Sequence, residues 1–388
     1  MVKHIALLGS TGSIGRQTLD IVARHPNRFR VAALCAGHNA GLLFEQARRF
    51  KPSRAGLLQE PDHIPDDLRG LDWVFGADAA SLCAAVPSVT HVVHAVVGMA
   101  GLPATLTALE RGKRLLLANK ESLVAGGALA EAVVSSLNER REGHPPIIPI
   151  DSEHSAIFQC LEDARSKSVK PDRLILTASG GPFRTWEAAA ISRAVRFDAL
   201  RHPTWMMGEK ITVDSATMMN KALEVIEARW LFDMPGERID VVVHPQSVIH
   251  SMVSFEDGAV LAQMGAPDMR VPIAYAMAYP ERISTGVGAP AFGALGALTF
   301  EEPDETRFPS LRLGREALSA GGVAPVVLNS ANEEAVAAFL RERITLGRIA
   351  EVVESALAAI PQRPVQSLQD VMEADRAARE FTRRSLSD

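Results

Sequence analysis

The feature that most constrains the fold lies at the start of the chain, where a glycine-rich turn joins a strand to a helix. Residues 4–8 form an apolar run of strand length, and residues 16–25 have the spacing of an amphipathic helix. Between them, the turn GSTGSIG (9–15) lets the backbone approach a pyrophosphate, which the free N–H groups and the positive end of the helix would stabilise. Thr11 and Ser13 can add hydroxyl donors. This context predicts a dinucleotide-binding unit; the alternative is a tight turn without a ligand.

The end of the second predicted strand indicates which dinucleotide binds. VAALCAG (31–37) has the composition of a buried strand and is followed by His38 and Asn39. A unit that binds NAD would carry an acidic residue near this point to hold the ribose diol, and the sequence has none there. His38 and Asn39 can instead face a 2′-phosphate, so the sequence favours NADP over NAD.

Strands and helices alternate from residue 1 to residue 150, which predicts a doubly wound parallel sheet. One strand of this series, RLLLAN (114–119), ends in Asn119, Lys120 and Glu121. Open parallel sheets bind ligands at the carboxyl ends of their strands. We therefore expect Lys120 to reach a substrate oxygen, and Asn119 and Glu121 to reach the cofactor. The alternative is a helix cap with an ion pair.

A second group of polar residues follows the apolar run IIPI (147–150). Asp151 and Glu153 lie one residue apart, and in an extended chain their side chains would point the same way. Two such carboxylates repel each other unless a cation, a shared proton or solvent lies between them. Oxygen ligands of this kind suit Mg²⁺ or Mn²⁺. The alternative is one helix-capping Asp and one solvated Glu.

A third carboxylate lies in the segment DSATMMNKALEVIEARWLF (214–232). If a helix begins near Ser215, Glu224 shares a face with Asn220 by i,i+4 spacing and with Lys221 by i,i+3 spacing. Lys221 could then neutralise a phosphate while Glu224 completes a metal-ligand set. The alternative is a surface ion pair on an ordinary helix.

Two further segments have the residues of ligand-binding loops. The turn Ser179-Gly180-Gly181 offers a hydroxyl and unhindered amides, as in an anion-binding nest, although ordinary turns use the same residues. The segment HPTWMMG (202–208) is apolar and has no periodicity. Such a segment is either a buried staple or a lid that closes over a ligand.

Composition limits the class of protein. A net charge of −5 argues against a general role on nucleic acid or a membrane surface, and no segment approaches the ~20 apolar residues that span a bilayer. Three cysteines without metal-type spacing indicate a reducing compartment, so we expect a cytoplasmic protein. A chain of 388 residues exceeds a single core. We expect a Rossmann-type domain (1–150), a central α+β catalytic domain (151–279) with a lid near 200–210, a linker (280–312) and a helical bundle (313–388).

Seven motifs in order along the whole chain resemble the 1-deoxy-D-xylulose 5-phosphate reductoisomerase family. They are GSTGSIG, AGHN, LLANKESLV, PIDSEHSAIFQ, ASGGPF, HPTWMMG and DSATMMNKALE. The resemblance implies an enzyme that depends on NADPH and on Mg²⁺ or Mn²⁺. It would rearrange and reduce 1-deoxy-D-xylulose 5-phosphate, a sugar phosphate, to 2-C-methyl-D-erythritol 4-phosphate in the non-mevalonate isoprenoid pathway. It also suggests a homodimer.

The resemblance implies roles for individual residues. The implied metal ligands are Asp151, Glu153 and Glu224. The implied cofactor-binding residues are Thr11, Gly12, Ser13, Ile14, Gly37, His38, Asn39, Asn119, Glu121 and Gly208. The implied substrate-binding residues are Lys120, Ser152, Glu153, Ser179, His202, Trp205, Met207, Ser215, Asn220, Lys221 and Glu224. The implied catalytic residues are Lys120, Asp151, Glu153, His202 and Glu224.

One position departs from the family pattern, and two other functions are alternatives to the one that the resemblance implies. The family often has Lys or Arg where this chain has His38, so the preference for NADPH should be softer or depend on pH. A metal-independent NADP semialdehyde dehydrogenase would need a Cys or Lys nucleophile, and no suitable cysteine motif is present. A nucleotide-sensing regulator would bind NADPH without turnover, which three convergent carboxylates and a phosphate-type Lys argue against.

Overall fold

The computed structural model describes residues 2–138, 145–167, 169–201, 205 and 207–387. Contacts divide the chain into two compact units. Unit one comprises Met1–Ser122, Leu129–Ser155 and Asp268–Val287. Unit two comprises Leu123–Ala128, Ala156–Pro267 and Gly288–Asp388. Among the described residues we find no helix that is both long and apolar enough to cross a membrane.

Unit one is built on a parallel sheet of seven strands. The strands are β1 Lys3–Leu8, β2 Phe29–Ala36, β3 Arg54–Leu57, β4 Asp72–Phe75, β5 His91–His94, β6 Arg114–Leu117 and β7 Ile147–Pro149. They lie in the order β4-β3-β2-β1-β5-β6-β7, so the direction of winding reverses between β1 and β5. This is the predicted doubly wound sheet, and such sheets bind ligands at the point of reversal.

The helices of unit one cover both faces of this sheet. They are α1 Ser13–Arg24, α2 Ala40–Phe50, α3 Ala79–Ala84, α4 Leu102–Glu110, both ends of α5 Lys120–Asn138, the first residues of α6 Ser152–Lys167, and α11 Arg270–Ala278. Residues 5–8 of β1 are all 0% exposed. Because successive side chains of a strand point to opposite faces, both faces are buried along this part of β1, which is apolar.

The segment Asp268–Val287 belongs to unit one, although the sequence pattern put it in the central domain and the linker. The ammonium of Lys3, in β1, donates to the carbonyl oxygens of Met277 and Tyr279 at 2.9 Å each. Lys3 therefore binds the carbonyl end of α11, where a cation is favoured. The sequence analysis predicts neither α11 nor the sheet on which it packs.

Unit two contains a sheet of four strands. They are β8 Pro171–Ala178, β9 Ile239–Val243, β10 Ile249–Phe255 and β11 Val260–Met264, in the order β11-β10-β8-β9. β10 pairs antiparallel with β8 and β11, and β8 runs parallel to β9. Alternate residues of β9 are buried, as expected for a sheet with one face on the core.

The helices of unit two pack on this sheet and on one another. They are the middle of α5, most of α6, α7 Ala188–Ser192, α8 Arg196–Ala199, α9 Glu209–Ala216, α10 Met219–Phe232, α12 Phe292–Leu295, α13 Ser310–Ala320, α14 Ala324–Leu340, α15 Leu346–Ala359 and α16 Leu368–Ser385. Val225 of α10 packs in the core beneath the sheet, and Leu223 and Ile226 pack against the later helices. Helix α10 thus joins the sheet to the predicted C-terminal bundle, formed by α13 to α16.

Candidate active site

Two glycines in the glycine turn of unit one cannot be replaced by residues that carry a side chain. Gly9 has φ of +83°, and a Cβ there would lie 2.3 Å from the carbonyl oxygen of Ala95. A Cβ on Gly15 would lie 2.3 Å from the carbonyl oxygen of Gly9. Helix α1 begins after Gly12, and no side chain caps it. The turn therefore leaves the helix N-terminus open to a ligand, as the sequence predicts.

The predicted cofactor residues after β2 are exposed. Gly37, His38 and Asn39 all face solvent, and the Asn39 side chain accepts from the amide of Leu42 as the cap of α2. Gln46 of the same helix donates to the carbonyl oxygen of Ser10 at 2.9 Å. Helix α2 is thereby tied to the glycine turn, and His38 is available to a ligand.

Asn119 acts as a helix cap in unit one, which is the alternative that the sequence left open. Its amide group donates to the carbonyl oxygens of Val96 and Gly98, at 2.5 and 2.9 Å. Its side-chain oxygen accepts from the amide of Ser122 at 3.0 Å. The side chain is 1% exposed and holds the loop after β5 against the start of α5. The neighbouring Glu121 is also buried. Contact of either residue with a cofactor stays a prediction.

Lys120 and Asp151 form a buried ion pair within unit one. The Lys120 ammonium lies 2.5 Å from Asp151 Oδ2, and His154 Nδ1 lies 3.7 Å from the same oxygen. Burial alone would raise the pKa of Asp151, but Lys120 and His154 outweigh it and hold the pKa well below its usual range. Asp151 is therefore a carboxylate at neutral pH. His154, three residues after Asp151 in PIDSEHSAIFQ, is a contact that the sequence analysis missed although its i,i+3 spacing indicates it.

Glu153 is helical and not extended as the sequence predicts, but a carboxylate oxygen of Asp151 and one of Glu153 still lie within 4.8 Å of each other. Helix α6 begins at Ser152, directly after Asp151, and Glu153 lies in its first turn. The expected alternation of an extended chain does not apply here. The Ser152 hydroxyl donates to the Glu153 carboxylate. A carboxylate in the first turn of a helix is favoured by the helix dipole.

In unit two, the predicted serine-glycine turn follows β8 directly. The amide of Gly181 donates to the Ser179 hydroxyl at 3.2 Å, and Gly180 and Gly181 have φ of +83° and +66°. A Cβ on Gly181 would lie 2.7 Å from the carbonyl oxygen of Ser215. The turn that holds Ser179 therefore packs at Gly181 against the Ser215 backbone, at the end of α9.

The helix predicted to begin near Ser215 begins four residues later. Ser215 lies at the end of α9, and α10 starts at Met219. Met218 between them is left-handed, with φ of 62°, a conformation that is uncommon for a residue other than glycine. The Thr217 hydroxyl accepts from the amide of Met219 at 3.4 Å and thereby bridges the break.

The predicted face of α10 is confirmed. Asn220 Nδ2 donates to Glu224 Oε1 at 2.5 Å, and the Lys221 ammonium pairs with the other oxygen of this carboxylate. Glu224 is 0% and Lys221 3% exposed, so the alternative of a surface ion pair is wrong. A buried ion pair contributes little net stability because both charges lose water, so its presence points to a functional site.

The predicted lid is described only in part. His202 lies outside the described residues. The Trp205 ring lies 6.0 Å from the His250 ring, between centroids, and Met207 is half-buried. Burial lowers the pKa of His250 to about 4, so this imidazole is neutral at pH 7. Gly208 is the N-cap residue of α9, and a Cβ added to it would have no other atom within 4 Å.

Three family models match successive parts of the chain. The model described as 1-deoxy-D-xylulose 5-phosphate reductoisomerase matches residues 5–127. The model of the C-terminal domain of that enzyme matches residues 147–232, and the model described as the DXP reductoisomerase C-terminal domain matches residues 264–381.

Curated relatives extend over the whole chain. The 1-deoxy-D-xylulose 5-phosphate reductoisomerase of Paraburkholderia xenovorans is 50% identical over 385 residues, which cover 98% of this chain and 94% of that protein. The enzyme of Chlorobium limicola is 49% identical and covers 98% of this chain and 99% of that protein.

Solved structures agree with the curated relatives. The reductoisomerase from Zymomonas mobilis in complex with NADPH has a TM-score of 0.89 and 41% identity, and covers 100% of this chain and 99% of that chain. A DOX-P reductoisomerase in complex with NADPH, fosmidomycin and magnesium has a TM-score of 0.92 and 40% identity, and covers 100% of this chain and 98% of that chain.

Fold and site first define an α/β oxidoreductase with a doubly wound sheet of the dinucleotide-binding type. Within that class, the chain belongs to the 1-deoxy-D-xylulose 5-phosphate reductoisomerase family. The alternative of a metal-independent semialdehyde dehydrogenase is not favoured, because the relatives that match the whole chain are reductoisomerases.

Proposed function

We propose that this protein converts 1-deoxy-D-xylulose 5-phosphate to 2-C-methyl-D-erythritol 4-phosphate, using NADPH and a divalent ion, Mg²⁺ or Mn²⁺. The observation that carries the proposal is the match to reductoisomerases over 98% of the chain at about half identity. The geometry of each unit adds to it. Unit one offers an open glycine turn, and unit two offers a buried lysine and carboxylate beside a serine-glycine turn.

The NADPH site is proposed at the glycine turn of unit one. The turn fits a pyrophosphate, because its tight backbone is free of side chains at Gly9 and Gly15. A Cβ at either position would clash with a backbone carbonyl oxygen and prevent this conformation of the turn. Solved relatives were crystallised with NADPH. When bound, NADPH supplies the hydride that reduces the rearranged aldehyde. The proposed contacts are Thr11, Gly12, Ser13, Ile14, Gly37, His38, Asn39, Asn119 and Glu121, with Gly208 from unit two.

Asp151, Glu153 and Glu224 are the proposed ligands of the divalent ion. The donor set suits Mg²⁺ or Mn²⁺, because all three residues offer carboxylate oxygens and the lowered pKa of Asp151 keeps it charged. A solved relative contains magnesium. When bound, such an ion supplies Lewis-acid polarisation of the substrate ketone and its neighbouring hydroxyl.

The remaining polar residues bind and orient the substrate. Ser179, Ser215, Asn220 and Lys221, which we call the phosphate site, offer hydroxyl, amide and ammonium donors within unit two. Lys120, Ser152 and Glu153 are proposed to hold the reacting end of the substrate. Because the phosphate lies away from the reacting carbons, its binding energy can orient the substrate. His202, which lies outside the described residues, is proposed to hold the phosphate end together with the phosphate site. Trp205 and Met207 are proposed to cover the substrate and exclude water.

The proposal is tested by following NADPH absorbance after addition of 1-deoxy-D-xylulose 5-phosphate. Oxidation should require the sugar phosphate, should stop when a chelator removes divalent ions, and should return with Mg²⁺ or Mn²⁺. Turnover that persists after chelation would contradict the metal-dependent reaction. NADPH binding without any oxidation would instead support a nucleotide-sensing regulator.

A homodimer in the cytoplasm is also proposed. The edge strand β11 exposes Val260 and Leu261, at 53% and 37%, and an exposed apolar edge strand favours pairing with a second chain. Light scattering should give twice the mass of one chain, and Leu261→Lys should shift the measured mass toward that of a single chain.

The proposed cytoplasmic location rests on the cysteines. Cys35, Cys83 and Cys160 are free thiols, which suits a reducing compartment.

A further inference from the structure

A buried hydrogen bond joins α9 to α14 next to the phosphate site. Asp214, in α9, is 1% exposed, and its Oδ1 accepts from Asn332 Nδ2 at 2.8 Å. Asn332 lies in α14, 118 residues later, and is 0% exposed. The other carboxylate oxygen lies 2.9 Å from the Lys210 ammonium, one turn earlier in α9. The carboxylate of Asp214 is thus held at both oxygens.

The phosphate site depends on where this end of α9 lies. Ser215 directly follows Asp214, and its carbonyl oxygen is the atom against which the Gly181 turn packs. The amide of Met218 donates to the same carbonyl at 3.2 Å, which sets the break before α10. A displacement of α9 would therefore move Ser215 directly, and would move Ser179 and Lys221 through these contacts.

Charge gives a second reason for this arrangement. An unpaired carboxylate one residue from Ser215 would repel a phosphate dianion. Lys210 offsets that charge, and Asn332 fixes the second oxygen with a neutral donor that adds no charge of its own. Removing the Asn332 amide would leave a buried oxygen of Asp214 without this donor, which is energetically costly. A displacement of α9 that gave this oxygen a new hydrogen-bond donor would then be favoured.

We propose that Asp214 and Asn332 are positioning residues, which hold the end of α9 so that Ser179, Ser215 and Lys221 face one phosphate. The inference rests on the proposed phosphate site and adds two residues that do not touch the substrate. Asn332→Ala should raise the KM for the sugar phosphate and the Kd for inorganic phosphate, each by roughly tenfold, the effect of one lost hydrogen bond to a charged group. The KM for NADPH should stay unchanged, and kcat should change less than the KM for the sugar phosphate.

Asn329→Ala is the matched control. Asn329 lies one turn earlier in α14 and is also 0% exposed, but its amide donates within its own helix, to Glu333 at 3.0 Å. Both variants remove a buried amide from the same helix, so both should lower stability similarly. Only Asn332→Ala should weaken phosphate binding. If Asn332→Ala does not fold, Asn332→Ser is measured instead, with a smaller change in the same direction expected.

Phosphate titration by calorimetry and steady-state kinetics separate the outcomes. Equal phosphate Kd values for the two alanine variants would overturn the positioning role, whatever their stability. Failure of the wild-type protein to turn over 1-deoxy-D-xylulose 5-phosphate would instead contradict the proposed function, and the phosphate titration would still decide whether Asn332 positions an anion site.

Discussion

At the scale of the residue, His94 shows how burial sets charge in unit one. It is 0% exposed, and its Nε2 lies 2.9 Å from the carbonyl oxygen of Gly101. Burial lowers the pKa of His94 to about 4, whereas a histidine in an unfolded chain titrates near 6.5. Between these values the unfolded state binds more protons, so the free energy of unfolding rises with pH across this window and falls as the pH drops below about 6.5.

The first prediction concerns this pH dependence. From pH 7 to pH 5, His94 should remove about 2 kcal/mol from the free energy of unfolding, as an order of magnitude. The slope should be shallower in His94→Gln, while His63→Gln, at an exposed histidine of unit one, should leave it unchanged. Urea unfolding at several pH values measures both slopes. Equal slopes for His94→Gln and the wild type would contradict a neutral, buried His94.

His38 is exposed and belongs to the proposed NADPH site. His38→Arg should lower the KM for NADPH several-fold and leave the KM for NADH unchanged, because a guanidinium pairs with the 2′-phosphate at any pH. His63→Arg makes the same change of charge at another exposed histidine of unit one and should affect neither constant. An unchanged KM for NADPH in His38→Arg would remove His38 from the cofactor site.

At the scale of the element, sequence patterns predict regular helices and the ends of strands well. The helical bundle predicted over residues 313–388 is found as α13 to α16, and the periodic apolar faces of α15 and α16 pack in the core. The turns after β1, β6 and β8 also lie where predicted. The break between α9 and α10 was missed, because Met218 adopts a left-handed conformation that glycine usually signals. The Asp214–Asn332 bond has no local signal at all.

The turn after β8 gives a prediction at this scale. Gly181→Ala would force a Cβ to within 2.7 Å of the Ser215 carbonyl oxygen, so it should raise the KM for the sugar phosphate at least tenfold. Gly258→Ala is the control, because Gly258 also has positive φ, +85°, but no atom within 4 Å of the added Cβ. Both variants should lose about 1 kcal/mol of stability from backbone strain.

Steady-state kinetics and thermal unfolding compare these two glycines. If Gly181→Ala and Gly258→Ala shared the same KM for the sugar phosphate, the close packing of the turn on Ser215 would have no part in substrate binding. A rise in KM for Gly181→Ala alone is the expected result, with a larger loss of stability than in Gly258→Ala because the Cβ at residue 181 also meets the Ser215 carbonyl oxygen.

At the scale of the whole molecule, each unit carries a different part of the proposed reaction. Unit one provides the glycine turn together with Lys120, Asp151 and Glu153. Unit two provides the phosphate site and Glu224. The class of fold could be predicted from the alternation of strands and helices. The assignment of α11 to unit one could not, because it depends on contacts such as that of Lys3 with the end of this helix.

The central claim is that Asp151, Glu153 and Glu224 bind one divalent ion. Crystals grown with Mn²⁺ and NADPH, measured at wavelengths on either side of the manganese absorption edge, test it most directly. We predict one anomalous peak per chain, with a carboxylate oxygen of each residue at roughly 2.0–2.3 Å. The peak should be absent in Glu224→Gln, which should retain NADPH but lose turnover. A manganese peak in Glu224→Gln crystals at the wild-type position, or a wild-type peak that Glu224 does not contact, would contradict the claim.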